Sequence, residues 1–280
     1  MRTIQASVIT EAIAKLAIEA NYYLSPDIYA ALEKGRQTEE SPLGKEIFNQ
    51  LVENACIARN EKMPICQDTG MAVIFMELGQ DVHVEGNLAE AVDAGVTKGY
   101  TEGYLRKSVV DDPLFVRKNT KDNTPAILHL SIVPGDKIKI LLAPKGFGSE
   151  NMSALKMMPP AAGVDGVKKF LADTVSAAGP NPCPPIVIGV GVGGTMEKAA
   201  LLAKKALTRP IDRRNANPDY AKLETELLEL ANKTGVGPQG LGGSITALAV
   251  NVEYFPAHIA GTAVAININC HATRHAEIEL

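Results

Sequence analysis

Four cysteines occur in the 280 residues, and three of them lie where the backbone pattern is irregular. Cys66 sits in Pro64-Ile65-Cys66-Gln67-Asp68-Thr69-Gly70, between a helical and a strand pattern. Cys183 sits in Gly179-Pro180-Asn181-Pro182-Cys183-Pro184-Pro185, too rich in proline for helix or mid-strand. Cys270 sits in Asn267-Ile268-Asn269-Cys270-His271-Ala272-Thr273, at the end of a strand pattern. Cys56, by contrast, lies mid-helix among apolar neighbours and reads as a small core residue. The three loop thiols could meet at one point, and thiolates on irregular backbone suit a metal or iron–sulfur centre. No C-x-x-C pair is present, so the spacing equally fits reduced thiols placed by chance. The number matters chemically. Three protein thiolates on a four-iron cubane leave one iron open, and an open iron is a Lewis acid toward a hydroxyl or carboxylate.

Two further segments carry chemistry-bearing patterns. Gly189-Val190-Gly191-Val192-Gly193-Gly194 satisfies G-x-G-x-x-G after a strand pattern and before a helical one. The second strand with an acidic end that a dinucleotide site needs is missing, and Arg209-Pro210-Ile211-Asp212-Arg213-Arg214 stands there instead. Such a turn also makes room for a bulky cofactor, or binds an anion at the helix start. Pro144-Lys145-Gly146-Phe147-Gly148-Ser149-Glu150-Asn151-Met152-Ser153, with Lys156 beyond it, could hold a carboxylate through backbone N–H groups. It could equally be a plain strand-to-helix connection. His83 and His129 lie in strand-like stretches and read as structural. His271 and His275 flank Arg274 beside Cys270, and His258 is a loop histidine able to serve as acid, base or anion ligand. Arg106 and Lys107, at the end of a helical pattern, would complement its dipole.

The elements that must position these residues are legible from period and punctuation. Helical patterns cover residues 6–20, with Val8, Ile9, Ala12, Ile13, Leu16 and Ala17 on one face, then 25–35 and 41–60, the latter two started by Ser25-Pro26 and Ser41-Pro42. Further helices are expected over 88–104, 163–178, 195–207 and 217–233. Strands are expected over 71–78, 126–133, 137–142, 185–192, 244–254 and 261–269, with Pro134-Gly135-Asp136 joining two of them as a hairpin-like turn. Residues 111–125 read as a polar loop. The interleaving implies an α/β fold, a mixed sheet with flanking helices and a helical N-terminal portion, as a single domain over 1–280.

Composition narrows the function classes. Lys and Arg number 28 against 32 Asp and Glu, a net charge of -4, without the basic surplus of a phosphate-gripping nucleic-acid binder. Aromatics are 5% with no tryptophan, so base-stacking platforms are not indicated. No apolar run reaches membrane-spanning length, and the opening residues lack a secretory leader pattern, so a cytoplasmic protein is expected.

Three blocks in this order, Cys66-Gln67-Asp68-Thr69-Gly70, Gly146-x-Gly148-Ser149-Glu150-Asn151 and Asn181-Pro182-Cys183-Pro184-Pro185 through Gly194-Thr195-Met196-Glu197-Lys198-Ala199, resemble the class I (iron–sulfur) fumarate hydratases and the related L-tartrate dehydratases. The resemblance runs over essentially the whole chain and matches the α subunit of the two-subunit form. It implies a 4Fe-4S cluster on Cys66, Cys183 and Cys270, with the fourth iron binding substrate. It also implies substrate contacts from Gln67, Asp68, Arg106, Gly148, Asn151, Ser153 and Lys156, with Asp68 as proton donor. His258 matches a histidine that reaches the active site, in one arrangement that of a neighbouring protomer. In the family the catalytic base lies in a β domain that this chain lacks, so the resemblance implies a β subunit partner, an α2β2 heterotetramer and a small dicarboxylate substrate. The expected reaction is reversible hydration of fumarate to (S)-malate. L-tartrate dehydration, a non-catalytic binding or assembly module, and a nicotinamide-dependent oxidoreductase are the alternatives.

Overall fold

A computed structural model describes residues 2–280, which form two compact units. The first comprises the chain up to Leu24, Ala55–Gly146 and Arg274–Leu280; the second comprises Ser25–Asn54 and Phe147–Thr273. Mixed sheets with helices against them make the chain α/β, the class expected from its sequence.

In the first unit, a short strand β1 (Arg2–Gln5) leads into helix α1 (Ala6–Tyr22), and the chain returns after Leu24 in the last turns of α3 (Pro42–Glu61). There follow β2 (Met71–Gly79), β3 (Val82–Glu85), α4 (Leu88–Glu102), β4 (Ile127–Val133) and β5 (Ile138–Lys145), and the final strand is β10 (Ala276–Glu279). The apolar face of α1 buries Ile9, Ala12, Ile13, Leu16 and Ala17, whereas Val8 is exposed. These side chains and Val92, Val96 and Tyr100 of α4 cover Ile74, Met76, Ile138 and Ile140 of β2 and β5. Period alone did not reveal β1, which buries only Ile4 and pairs in parallel with β3.

The second unit contains α2 (Pro26–Thr38), the start of α3, α5 (Phe147–Glu150), β6 (Ala154–Met158), α6 (Gly163–Ala178), β7 (Ile186–Val192), α7 (Met196–Ala206), α8 (Pro218–Lys233), β8 (Ala247–Tyr254) and β9 (Thr262–Asn269). Alternation along β7 sends Ile188 and Val190 toward α6 and α8, and Gly189 and Gly191 toward α7. A Cβ on either glycine would come within 2.0 Å of a carbonyl oxygen of α7, so glycine is what lets this helix lie directly on the strand. Ala199 and Ala203 meet Ala263 and Ala265 in the same thin layer. The glycine string is thus accounted for by helix–strand packing.

Both four-stranded sheets follow one plan. The orders are β10-β5-β2-β4 and β6-β9-β7-β8. In each, a central strand (β2 or β7) has a parallel neighbour reached through helix (β4 or β8). The chain then crosses over the end of the central strand and returns antiparallel on its other side as β5 or β9, with β10 or β6 as the antiparallel edge. This corrects the expected hairpin at residues 134–136: β4 and β5 are not paired with each other, because β2 lies between them. The turn instead bridges the end of β2, where Gly79 N–H donates to Lys137 O (2.8 Å) and Gln80 N–H to Val133 O (2.8 Å). Among the described residues, no helix is long and apolar enough to cross a membrane.

Candidate active site

In the first unit the Cys66-bearing loop leads into the start of β2. Its successive carbonyl oxygens are held from behind. Asp68 O accepts from the guanidinium Nη2 of Arg274. The Tyr100 hydroxyl lies 2.9 Å from Thr69 O and 3.0 Å from Gly70 O, and Asn123 Nδ2 donates to Gly70 O at 3.1 Å. Asn123 also accepts the Ser108 N–H through Oδ1 (2.7 Å), and Thr69 Oγ1 donates to Arg106 O (3.0 Å). Burial pushes the Tyr100 phenol far above its ordinary pKa; the Arg274 cation works against that shift and the Asp68 carboxylate adds to it. It is therefore a neutral donor at any working pH.

The front of this loop presents Gln67, exposed, and Cys66 and Asp68, both half-buried. Asp68 Oδ1 accepts the Gly70 N–H (3.0 Å), which folds the carboxylate over its own turn. Its Oδ2 faces Gly146, where a Cβ would stand 3.2 Å away. Gly70 has φ +73°, and a Cβ there would meet the Lys145 backbone at 2.7 Å, so position 70 requires glycine twice over. Lys145 is buried, with Nζ donating to Gly146 O (3.1 Å). Arg106 is exposed and lies beyond Gly103, the C-cap of α4. The dipole role suggested for Arg106 and Lys107 does not apply, because the chain has turned away from the helix at Tyr104, whose φ is +51°.

In the second unit Cys183 and Cys270 belong to loops that are stitched together. His271, the residue after Cys270, donates its N–H to Cys183 O (3.3 Å), and its Nδ1 lies 3.1 Å from the same oxygen. Gln239 Nε2 lies 3.3 Å from the same ring nitrogen. Gln239 donates to Pro184 O from both its backbone N–H (2.8 Å) and Nε2 (2.7 Å), bracing the proline-rich turn. Cys183 is exposed at φ +54°, and Cys270 is half-buried. Ser153 Oγ accepts from Asn267 Nδ2 (3.1 Å) and Ile268 N–H (3.2 Å), placing the 147–153 turn at this same end of the sheet. Gly148 and Asn151 are exposed in that turn, while Lys156 is exposed midway along β6, opposite Val264.

His258 stands apart. It lies in the loop between β8 and β9, where Tyr254 and Val264 pair across from Val192, the far end of β7 from Cys183 and Cys270. Seven residues of β7 place it about 20 Å from them along the sheet. Its Nδ1 accepts the Ala260 N–H (3.2 Å), leaving Nε2 as the outward nitrogen.

None of the four cysteines is in a disulfide. Among the described residues, no group of three or more His, Cys, Asp or Glu is arranged to hold a single metal ion. The donor chemistry nonetheless suits a thiolate-bound group. Two cysteines come from loops joined by a backbone hydrogen bond, and the third from a loop of like position, just ahead of a central strand. Cys56 is in α3. Tyr100, Asn123, Arg274 and Gln239 were not expected at the site from the sequence. Asn123, at φ +67°, fits the residue type that tolerates this conformation, and a cation such as Arg274 just after an apolar strand is a usable signal.

The sequence profile of the family described as fumarate hydratase (fumerase) matches residues 10–279, a span that includes every loop described above. The chain belongs to the fumarate hydratase family. It is 42% identical over 275 residues to a Methanocaldococcus jannaschii protein provisionally named L(+)-tartrate dehydratase subunit alpha, covering 96% of each chain. It is 31% identical over 268 residues to the L(+)-tartrate dehydratase subunit alpha of Escherichia coli, covering 95% of this chain and 88% of that one. The same values hold for the Shigella sonnei protein of that name. Fumarate hydratases and tartrate dehydratases are both hydro-lyases, so this member of the fumarate hydratase family is a hydro-lyase chain. Its relatives are named as alpha subunits, that is, as parts of larger assemblies.

Proposed function

We propose that residues 1–280 act as one catalytic domain, the α subunit of a hydro-lyase that reversibly hydrates fumarate to (S)-malate with a β subunit. The observation that carries this reading is the braced 66–70 loop, with Asp68 and Cys66 on its open side, in a chain matched nearly end to end by the fumarate hydratase family. Cys66, Cys183 and Cys270 would hold a 4Fe-4S cluster, whose open iron supplies Lewis acidity toward the substrate hydroxyl.

The reaction moves a proton and a hydroxyl on and off adjacent carbons of a dianion. Asp68 gives its proton to the departing hydroxyl and takes it back from water in the reverse direction. The exposed guanidinium of Arg106 neutralises a carboxylate whose charge would oppose the build-up of enolate-like charge, whereas Lys156, level with Val264 and Val192 at the end of the sheet away from Cys183 and Cys270, is assigned, like His258, to the site of a neighbouring protomer. Gln67, Gly148, Asn151 and Ser153 complete the pocket wall, with the Ser153 oxygen anchored on β9 and its hydroxyl hydrogen left to donate. The position of His258, a sheet length from Cys183 and Cys270, supports service in the site of a neighbouring protomer, as an α2β2 heterotetramer would allow. The base that takes the carbon-bound proton is assigned to the β subunit.

L(+)-tartrate dehydration is the second reading, favoured by the names of the relatives. Anaerobic assay of the chain alone and with its β partner, on fumarate, malate and tartrate, decides between them. Fumarate–malate interconversion only in the mixture, with iron and sulfide present, supports the proposal. Turnover of tartrate alone transfers it to the second reading. A stable, iron-free and inactive complex overturns both and leaves a binding or assembly module.

A further inference from the structure

Arg274 is 4% exposed, and it is the charged member of the set that braces the 66–70 loop. Its Nη2 donates to Asp68 O, whereas Nε and Nη1 are buried without a hydrogen-bond partner. Among the described residues, no carboxylate forms an ion pair with it. Enclosing a guanidinium without an anion carries a heavy desolvation penalty, which an apolar side chain of similar length would avoid. Packing therefore does not account for the charge. Its single polar contact falls on the backbone of the residue read above as the proton donor. Tyr100 and Asn123 hold the next two carbonyls with neutral donors, so the firmest attachment in the row is at Asp68 itself.

We infer that Arg274 is a positioning residue, which through the Asp68 carbonyl sets where the Asp68 side chain stands. The inference rests on the reading of Asp68 as a substrate-facing acid. With the carbonyl fixed from behind, the Asp68 side chain is directed to the open side of the loop, where Oδ1 is held by the Gly70 N–H. Loss of Arg274 frees the backbone at residue 68 and lets the carboxyl wander, without removing any group that touches substrate.

The test is hydrogen–deuterium exchange and steady-state kinetics on the cluster-loaded α/β complex carrying Arg274→Gln. Losing a charged donor on a buried carbonyl predicts exchange about tenfold to a hundredfold faster at the amides of residues 67–70, with the rest of the first unit unchanged. The accompanying kcat falls at least about tenfold while KM stays within about threefold, and Arg274→Lys, which keeps the charge and a donor, restores part of both. Exchange that is unchanged at 67–70, or faster throughout the first unit, overturns the inference. So does a kcat equal to the unsubstituted enzyme's despite faster exchange. If Arg274→Gln does not accumulate as a folded complex, Arg274→Lys is read by the same criteria, with a smaller expected change. A complex that neither hydrates fumarate nor dehydrates tartrate defeats the functional reading, whereas the exchange measurement still reports whether Arg274 holds the loop.

Discussion

Replacing Glu39 with glutamine withdraws one acceptor from a carboxylate that gathers three backbone N–H groups. Oε1 accepts from Ser41 (2.9 Å) and Ser244 (2.8 Å), and Oε2 accepts from Ile245 (2.8 Å). The residue is 1% exposed, so water cannot substitute. The glutamine carbonyl can keep both Oε1 bonds, but its amide group then meets the Ile245 N–H donor to donor. A hydrogen bond to a charged acceptor contributes about 1.5–3 kcal/mol, and an orphaned buried donor costs about 1–3 kcal/mol, so we expect a loss of about 2–4 kcal/mol. Burial works to raise the Glu39 pKa, but the N–H groups of Ser244, Ser41 and Ile245 outweigh it and hold the carboxyl below its ordinary value. A lowered folded-state pKa gives stability that is present above the unfolded value, about 4.3, and lost as pH falls through the folded one. Protonated Glu39 then carries the same defect as glutamine. Urea unfolding followed by circular dichroism should show the full gap between the two proteins at pH 7, shrinking below about pH 4. A gap under about 1 kcal/mol at pH 7, or one that persists undiminished in acid, would refute the reasoning.

Five other substitutions test the packing and the ligand set. Gly191→Ala places a methyl 2.0 Å from Ala199 O, so α7 must move off β7; we expect a loss of about 3 kcal/mol or more by urea unfolding, and no nicotinamide binding by the unsubstituted protein in a fluorescence titration. Cys66→Ser, Cys183→Ser and Cys270→Ser should each abolish bound iron and the broad visible absorbance of a cluster in anaerobically prepared protein, while Cys56→Ser keeps both. Equal iron loss from Cys56→Ser would overturn the ligand assignment.

Helices were the most legible part of this chain. The repeating apolar face of α1 and the Pro26, Pro42 and Asn217-Pro218 starts mark helices α1, α2, α3 and α8 close to their observed bounds. Pairing was much less legible. The turn at 134–136 looks local, yet its two strands are separated by β2, because the partner of a strand is chosen by burial across the whole sheet. The edge strands β1, β6 and β10 have four or five residues each, too few for alternation to stand out. At the candidate site, residue type and loop context singled out Cys66, Cys183 and Cys270 as the proposed ligands. Their supports did not stand out: Tyr100 reads as one more helical apolar residue, and Asn123 as part of a polar loop. Arg274 acquires its role only when the chain returns to pair with β5.

That return has a consequence for the order of events during synthesis. The first unit is interrupted twice by the second, and its sheet gains β10, together with Arg274, only from residues 274–280. A ribosome adds about 5–20 residues per second. For several seconds, then, the nascent chain holds β2, β4 and β5 with an open β5 edge, and a 66–70 loop whose Asp68 carbonyl has nothing to accept. The second unit is itself completed only within that interval, its last strand β9 ending at Asn269 just ahead of Arg274. The loop that carries Cys66 is locked only after Cys270 has been made. On the proposed ligand set, a cluster delivered early would meet an unbraced Cys66, which would defer its assembly until translation has passed residue 274.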